Sequence, residues 1–226
     1  DLLKGKVYRK VGDLEVELWK TEEPVPFAER FSGEHAVVKE GDVWGGVWDC
    51  AWMHVKGTIP AQAKGEKVVL RFDLSDEGCV YDKNGYPIRG ITTFVSDFEP
   101  HLGVLIKRII DVTDCAEENE EFEFWIDAAC NDMFGKSPDR GALRQAEIAV
   151  CDTRLRKLYY DYKFLAMLAE TLDDDSTIRN RIEYTLFSVA NSTDVKDRES
   201  IEDAISQLAR HLNMKNADES LIFSAV

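Results

Sequence analysis

Three tryptophans, Trp44, Trp48 and Trp52, recur every four residues and are the side chains best suited to holding a ligand. An indole face stacks on the C–H face of a sugar, and the same ring also buries a large apolar area in a core or an interface. Both readings are open from the sequence, since truncating a buried tryptophan costs about 3–5 kcal/mol. Trp44 and Trp48 are therefore candidates for a glycan contact or for a domain interface.

Other chemistry is scarce. His35, His54, His101 and His211 are far apart and form no HxH, HxD or HExxH arrangement, so zinc-ligand spacing is absent. His54, in a strand-like run beside Trp52, reads as a hydrogen-bonded structural histidine. No nucleophile elbow, P-loop or dinucleotide fingerprint occurs. Asp73, Asp76 and Glu77 cluster, as a pair of catalytic carboxylates would, but strand and turn positions explain them equally well. Cys50, Cys79, Cys115, Cys130 and Cys151 are odd in number and form no CxxC pair, so they read as reduced thiols of a cytoplasmic protein.

With 226 residues the chain can hold one large domain or two small ones. A net charge of −15 excludes a basic stripe for nucleic acid. No leader-like segment, apolar span or basic amphipathic stretch points to a membrane.

The elements that must position these residues fall into two halves. Up to residue 150, short runs alternate apolar and polar residues: Lys6–Val11, Leu14–Trp19, Trp52–Ile59, Lys67–Leu74, Gly78–Tyr81, Gly90–Phe94, Gly103–Asp111, Glu121–Cys130 and Ala146–Cys151. In Glu121–Cys130, Phe122, Phe124 and Ile126 share one face. Gly12-Asp13 and Asn84-Gly85 signal hairpins, and the acidic run Asp114–Glu121 reads as a solvated turn. The fold class expected is mainly β, an antiparallel β-sandwich of jelly-roll or galactose-binding-like type over residues 1–150.

A helical segment follows over residues 151–218. Leu155, Leu158, Tyr159, Tyr162, Leu165, Leu168 and Leu172 form one helical stripe behind an Asp152 cap. Ile178, Ile182, Leu186 and Val189 form a second behind Ser176, and Ile201, Ala204, Ile205, Leu208 and Leu212 a third. The apolar run Leu221–Val226 reads as a buried parallel strand over residues 219–226, the first of a truncated domain.

Three stretches carry a family resemblance. Gly41-Asp42-Val43-Trp44-Gly45-Gly46-Val47-Trp48 leads into Trp52-Met53-His54-Val55 and Thr58-Ile59-Pro60. Val69–Asp73 is followed by Glu77-Gly78-Cys79-Val80-Tyr81 and Gly85-Tyr86-Pro87-Ile88-Arg89-Gly90. Phe124–Gly135 is followed by Ala146–Val150 and Leu158–Asp161. In order and spacing, over residues 30–170, they resemble the N-terminal, non-catalytic region of α-mannosidases of glycoside hydrolase family 38. Met53 stands where that pattern has Phe, and Arg89 where Gln is commoner.

The resemblance implies an architectural role. The parent enzyme would hydrolyse terminal α-linked mannose with retention, using zinc and carboxylates that lie beyond Leu221–Val226. No residue of this chain takes a catalytic or metal role, and the chain alone is expected to hold no cofactor. Expected partners are its own catalytic domain, further copies in a homo-oligomer and mannose-containing glycans. Two alternatives remain: an autonomous carbohydrate-binding module using Trp44 and Trp48, and an unrelated sandwich with a helical oligomerisation tail.

Overall fold

The computed structural model describes residues 3–92, 107–131 and 140–212. The expected strand Leu221–Val226, His101 and Met133–Gly135 lie outside the described residues. The chain divides into two compact units, Arg9–Val150 and a second formed by the residues up to Tyr8 together with those from Cys151 onward.

Among the described residues, twelve strands lie in or adjoin the first unit: β1 (Tyr8–Asp13), β2 (Glu15–Thr21), β3 (Glu34–Lys39), β4 (Val43–Gly46), β5 (Cys50–Thr58), β6 (Val68–Asp73), β7 (Glu77–Tyr81), β8 (Pro87–Thr92), β9 (Ile109–Thr113), β10 (Glu121–Ala129), β11 (Arg140–Ala142) and β12 (Gln145–Cys151). They form a six-stranded sheet in the order β3-β2-β5-β10-β7-β8, a four-stranded sheet in the order β1-β12-β6-β9, and the small pair β11-β4. The pairings β10–β5, β10–β7, β11–β4, β12–β6, β2–β3, β2–β5, β6–β9 and β7–β8 are antiparallel. The mainly β, antiparallel class read from the sequence is the class observed.

Strand alternation explains the core. On β10, Phe122, Phe124, Ile126 and Ala128 point inward, joining Met53 and Val55 of β5, Val16 and Leu18 of β2, and Leu70 and Phe72 of β6. Trp44 belongs to this core. Its indole Nε1 donates to the Leu74 carbonyl at 2.9 Å. Its ring also lies so close to Gly141 that a Cβ there would sit 2.4 Å from the indole. Close backbone approach, not flexibility, is what this glycine provides.

The Asn84-Gly85 hairpin forms between β7 and β8, with Gly85 at φ 86° and Asp82 Oδ1 accepting from the Asn84 and Tyr86 N–H groups. The acidic run is a turn between β9 and β10. The Gly12-Asp13 hairpin is not formed: β1 lies on the four-stranded sheet and β2 on the six-stranded one. Leu14 is buried at this crossing, and its N–H donates to the Ala146 carbonyl at 3.0 Å. An apolar residue at the corner carries the chain between layers where the dipeptide suggested a reversal.

The trio Asp73, Asp76 and Glu77 occupies the β6–β7 turn. Asp73 Oδ1 accepts from Ser75 N–H at 2.9 Å, its Oδ2 pairs with Arg108 at 3.0 Å, and Ser75 Oγ donates to the Ala142 carbonyl at 2.7 Å. Asp73 and Asp76 are both buried. These bonds fix one strand end to its neighbours, a structural role for Asp73.

In the second unit, α1 (Thr153–Thr171), α2 (Thr177–Ser192) and α3 (Arg198–Leu212) follow one another. Asp152 caps α1, accepting from Arg154 and Leu155 N–H, each at 3.0 Å, and Ser176 caps α2. Leu155, Leu158, Leu165, Ile182, Leu186, Val189, Ile201, Ala204 and Leu208 are buried as the stripes anticipate. Ile178 is not; it sits exposed in the first turn of α2. No helix among the described residues is long and apolar enough to cross a membrane.

Burial pushes the Asp76 carboxyl up from 3.8 to about 7, against the pull of the Cys130 thiol and the Glu77 and Asn131 N–H groups. The folded chain therefore holds this proton more tightly than the unfolded chain. Its contribution to stability is complete below about pH 4, is lost as pH rises toward 7, and above that the ionised carboxylate opposes the fold. Urea unfolding at about pH 5 and about pH 8 is expected to show Asp76→Asn gaining on the parent chain as pH rises. A pH-independent difference between the two would mean that Asp76 titrates as it does in the unfolded chain.

Candidate functional site

The outward face of the six-stranded sheet is built from the other half of the strand alternation. Trp19 pairs across with Trp52, Trp52 with Asp127, His54 with Trp125, and Cys79 with Asp127. Three of these positions carry indoles, which water would not leave bare. The segment after β2 folds back over them. Trp52 Nε1 donates to the Val25 carbonyl at 2.9 Å. Phe27 meets Trp52 edge-on at 5.4 Å and Trp125 at 6.1 Å. The Arg30 guanidinium sits 4.1, 4.4 and 4.6 Å from the Phe27, Phe31 and Trp125 ring centres.

His54 is held in the same layer. It stacks on Trp125 with ring centres 4.1 Å apart and planes at 7°, and its Nε2 lies 2.9 Å from Glu123 Oε1. Nδ1 lies 3.7 Å from Glu17. Its place is in the packing of the sheet, as read from the sequence.

Where this cover ends, at Glu22-Glu23-Pro24, a cleft of about 730 Å³ opens on the sheet. Its floor is Asp127 and Ala129 of β10 with Cys79 of β7; Glu77, Asn131 and Lys107 line it further, and Trp48 forms one wall. All of these residues lie in the first unit.

Trp48 is set there by a strained turn. Its φ is 73°, a left-handed conformation that a bulky side chain adopts at a cost of about 1–3 kcal/mol. Hydrogen bonds hold it in place. Trp48 N–H donates to the Cys130 carbonyl at 2.7 Å, and Cys130 N–H donates to the Asp49 carbonyl at 3.0 Å. Asp49 Oδ2 accepts from Gly46 N–H at 2.8 Å and lies 3.6 Å from Lys20 Nζ. The residue is 61 % exposed.

Asp127 is the counterpart to that ring. Burial alone raises its carboxyl above the usual range. Asn131 Nδ2 donates to Glu77 Oε2 at 3.4 Å. Burial first, and then the charges of Asp127, Glu23 and Asp49, push the Cys50 thiol up, away from the thiolate form. Cys130 is pushed up to about 12, again mainly by burial. Such a cleft can bind a small polar ligand.

The two tryptophans singled out from the sequence have different places. Trp48 stands at the cleft. Trp44 is 4 % exposed inside the core, so its ring offers no sugar platform, and that expectation is corrected. Trp52 is buried beneath Val25 and Phe27. Sequence reasoning missed Asp127, Asn131 and Glu77 as companions of Trp48. The available signal was the alternation of β10, which sends Asp127 to the face opposite Ile126.

Trp48→Gly separates strain from packing. Relief of about 1–3 kcal/mol of strain outweighs the extra freedom glycine gives the unfolded chain, about 0.4–1 kcal/mol. Urea unfolding is expected to show the variant at least as stable as the parent. A clear loss of stability would show that the ring packs against the fold.

A family model described as "Alpha-mannosidase, jelly roll domain" matches residues 11–149. Human alpha-mannosidase 2C1 is 26 % identical over 184 residues, covering 77 % of this chain and 17 % of that protein. An alpha-mannosidase of Saccharomyces cerevisiae is 29 % identical over 180 residues, covering 74 % of this chain and 15 % of that protein. Among solved structures, a β-glucuronidase from Ruminococcus gnavus aligns with a TM-score of 0.43 at 13 % identity, over 65 % of this chain and 29 % of its own. The chain thus spans about a sixth of the length of the curated relatives it matches. With the family match covering nearly all of Arg9–Val150, the chain belongs to the family of α-mannosidase jelly roll domains.

Proposed function

We propose that the chain is the non-catalytic N-terminal part of a cytoplasmic, zinc-dependent α-mannosidase of glycoside hydrolase family 38. Hydrolysis of terminal α-linked mannose belongs to the remainder of the enzyme, which holds the zinc. This part acts as a scaffold for the catalytic domain, its substrate cleft and the oligomer. The family match over residues 11–149 carries the reading, supported by the small share of each relative that the chain spans.

A second observation supports the scaffold role. On α1, Tyr160, Phe164 and Met167 are spaced by four and three residues and are all exposed, along one face of the helix. An apolar stripe of this kind is left bare at a cost and suits an interface. Its proposed occupant is the catalytic part of the same polypeptide.

The purified 226-residue chain, supplied with zinc, is expected to give no turnover of a chromogenic α-mannoside; measurable turnover that is lost on chelation would overturn the reading. In the whole enzyme, Phe164→Glu is expected to lower the melting temperature. In the 226-residue chain the same change should stay within about 0.5 kcal/mol, as for other exposed positions. Equal effects in both would place Phe164 inside the helical unit's own packing.

A further inference from the structure

We infer that the cleft walled by Trp48 is a binding site for a neutral pyranoside, one or two sugar units long. The inference goes beyond the scaffold role, which needs no ligand here.

Four features of the cleft agree on this ligand class. The first is the ring. Trp48 is a large aromatic surface left open to solvent, on a backbone conformation that a glycine would adopt without strain. Hydrogen bonds from Cys130 and around Asp49 maintain that conformation, so the ring is presented, not merely stranded. The second is the acceptor. Asp127 lies half-buried on the floor, and no hydrogen bond to it is found among the described residues. A ligand hydroxyl would satisfy it.

The third feature is the mixture of polarity. Among the lining residues Asp127 and Glu77 carry acceptors, while Asn131 and Lys107 carry donors, one of the Asn131 N–H groups being directed at Glu77. A ligand whose groups both donate and accept uses all four; Glu22 and Glu23 also line the cleft and leave it acidic, so a cation is the competing ligand that the test must separate. Sugar hydroxyls have this dual character, and the C–H face of a pyranose supplies the apolar side that Trp48 requires. The fourth is size. About 730 Å³ falls within the range of small-ligand sites.

Ligand-observed saturation-transfer NMR on the 226-residue chain tests this with mannobiose, cellobiose and choline as probes. Mannobiose or cellobiose is expected to bind with millimolar affinity, with transfer strongest at the protons of one sugar face. Trp48→Gly and Asp127→Ala are each expected to weaken binding about tenfold, the loss of a single good contact. The first variant relieves strain and the second removes a carboxylate that burial disfavours, so both are expected to fold, as circular dichroism would show.

No transfer to either disaccharide overturns the inference, as does affinity unchanged in Trp48→Gly. Binding of choline with no response to the sugars overturns it as well and makes the cleft a cation site. The readout is binding by this chain, not turnover, so its failure leaves the scaffold reading where it stood.

Discussion

The first unit depends on covering the outward face of β5 and β10. A sandwich sheet ordinarily buries one face and wets the other. Here Trp52 and Trp125 are buried outward as Met53 and Ile126 are buried inward, so the centre of the six-stranded sheet is a middle layer. The segment between β2 and β3 supplies the missing layer without a strand or a long helix of its own. Arg30 makes this possible. Its guanidinium lies against three aromatic rings, and its Nη1 donates to the Phe27 carbonyl at 2.9 Å, so the cation fixes the turn and caps the rings together. The cleft exists because this cover stops at Pro24 while the sheet continues through Asp127 and Cys79.

Much of this was legible in the sequence, for a physical reason in each case. Period-two alternation in Glu121–Ala129 gave the inward face of β10. Asn84-Gly85 gave the β7–β8 hairpin, because glycine takes the left-handed φ at no steric cost. Asp152 and Ser176 gave two helix starts. β3 was not legible: Glu34–Lys39 is an edge strand with five of its six residues exposed, so no apolar alternation marks it. β4 and β11 are four and three residues long, too short for a period to appear. Gly12-Asp13 misled because a dipeptide reports local turn preference, while the burial of Leu14 decides to which sheet the chain returns.

The site was half legible. Tryptophans at a spacing of four share a face in a regular strand, so Trp44, Trp48 and Trp52 read as one set. The chain departs from a strand at Gly46, and the left-handed φ of Trp48 sends that ring alone to solvent. Trp44 then fills the core above Gly141, and Trp52 lies on the opposite side of the sheet under Phe27. Three residues of one type thus reach three environments: Trp44 on β4, Trp48 in a left-handed turn and Trp52 on β5 of the six-stranded sheet. Asp127, Asn131 and Glu77 are brought together by strand pairing and the β6–β7 turn, relations that no short motif records.

Beneath the cleft a buried acid is linked to the exposed ring through the end of β10. Cys130 and Asn131 follow β10 directly. Asp76 interacts with the Cys130 thiol and with the Asn131 N–H, while the Cys130 carbonyl accepts from Trp48 N–H. Asn131 in turn donates to Glu77, the residue after Asp76. The strained Trp48 turn and the polar rim of the cleft therefore share one anchor, the end of β10. A carboxyl whose protonated form burial favours can meet a thiol and backbone N–H groups together, as a hydrophobic residue cannot. Its cost is a fold that weakens as the acid ionises.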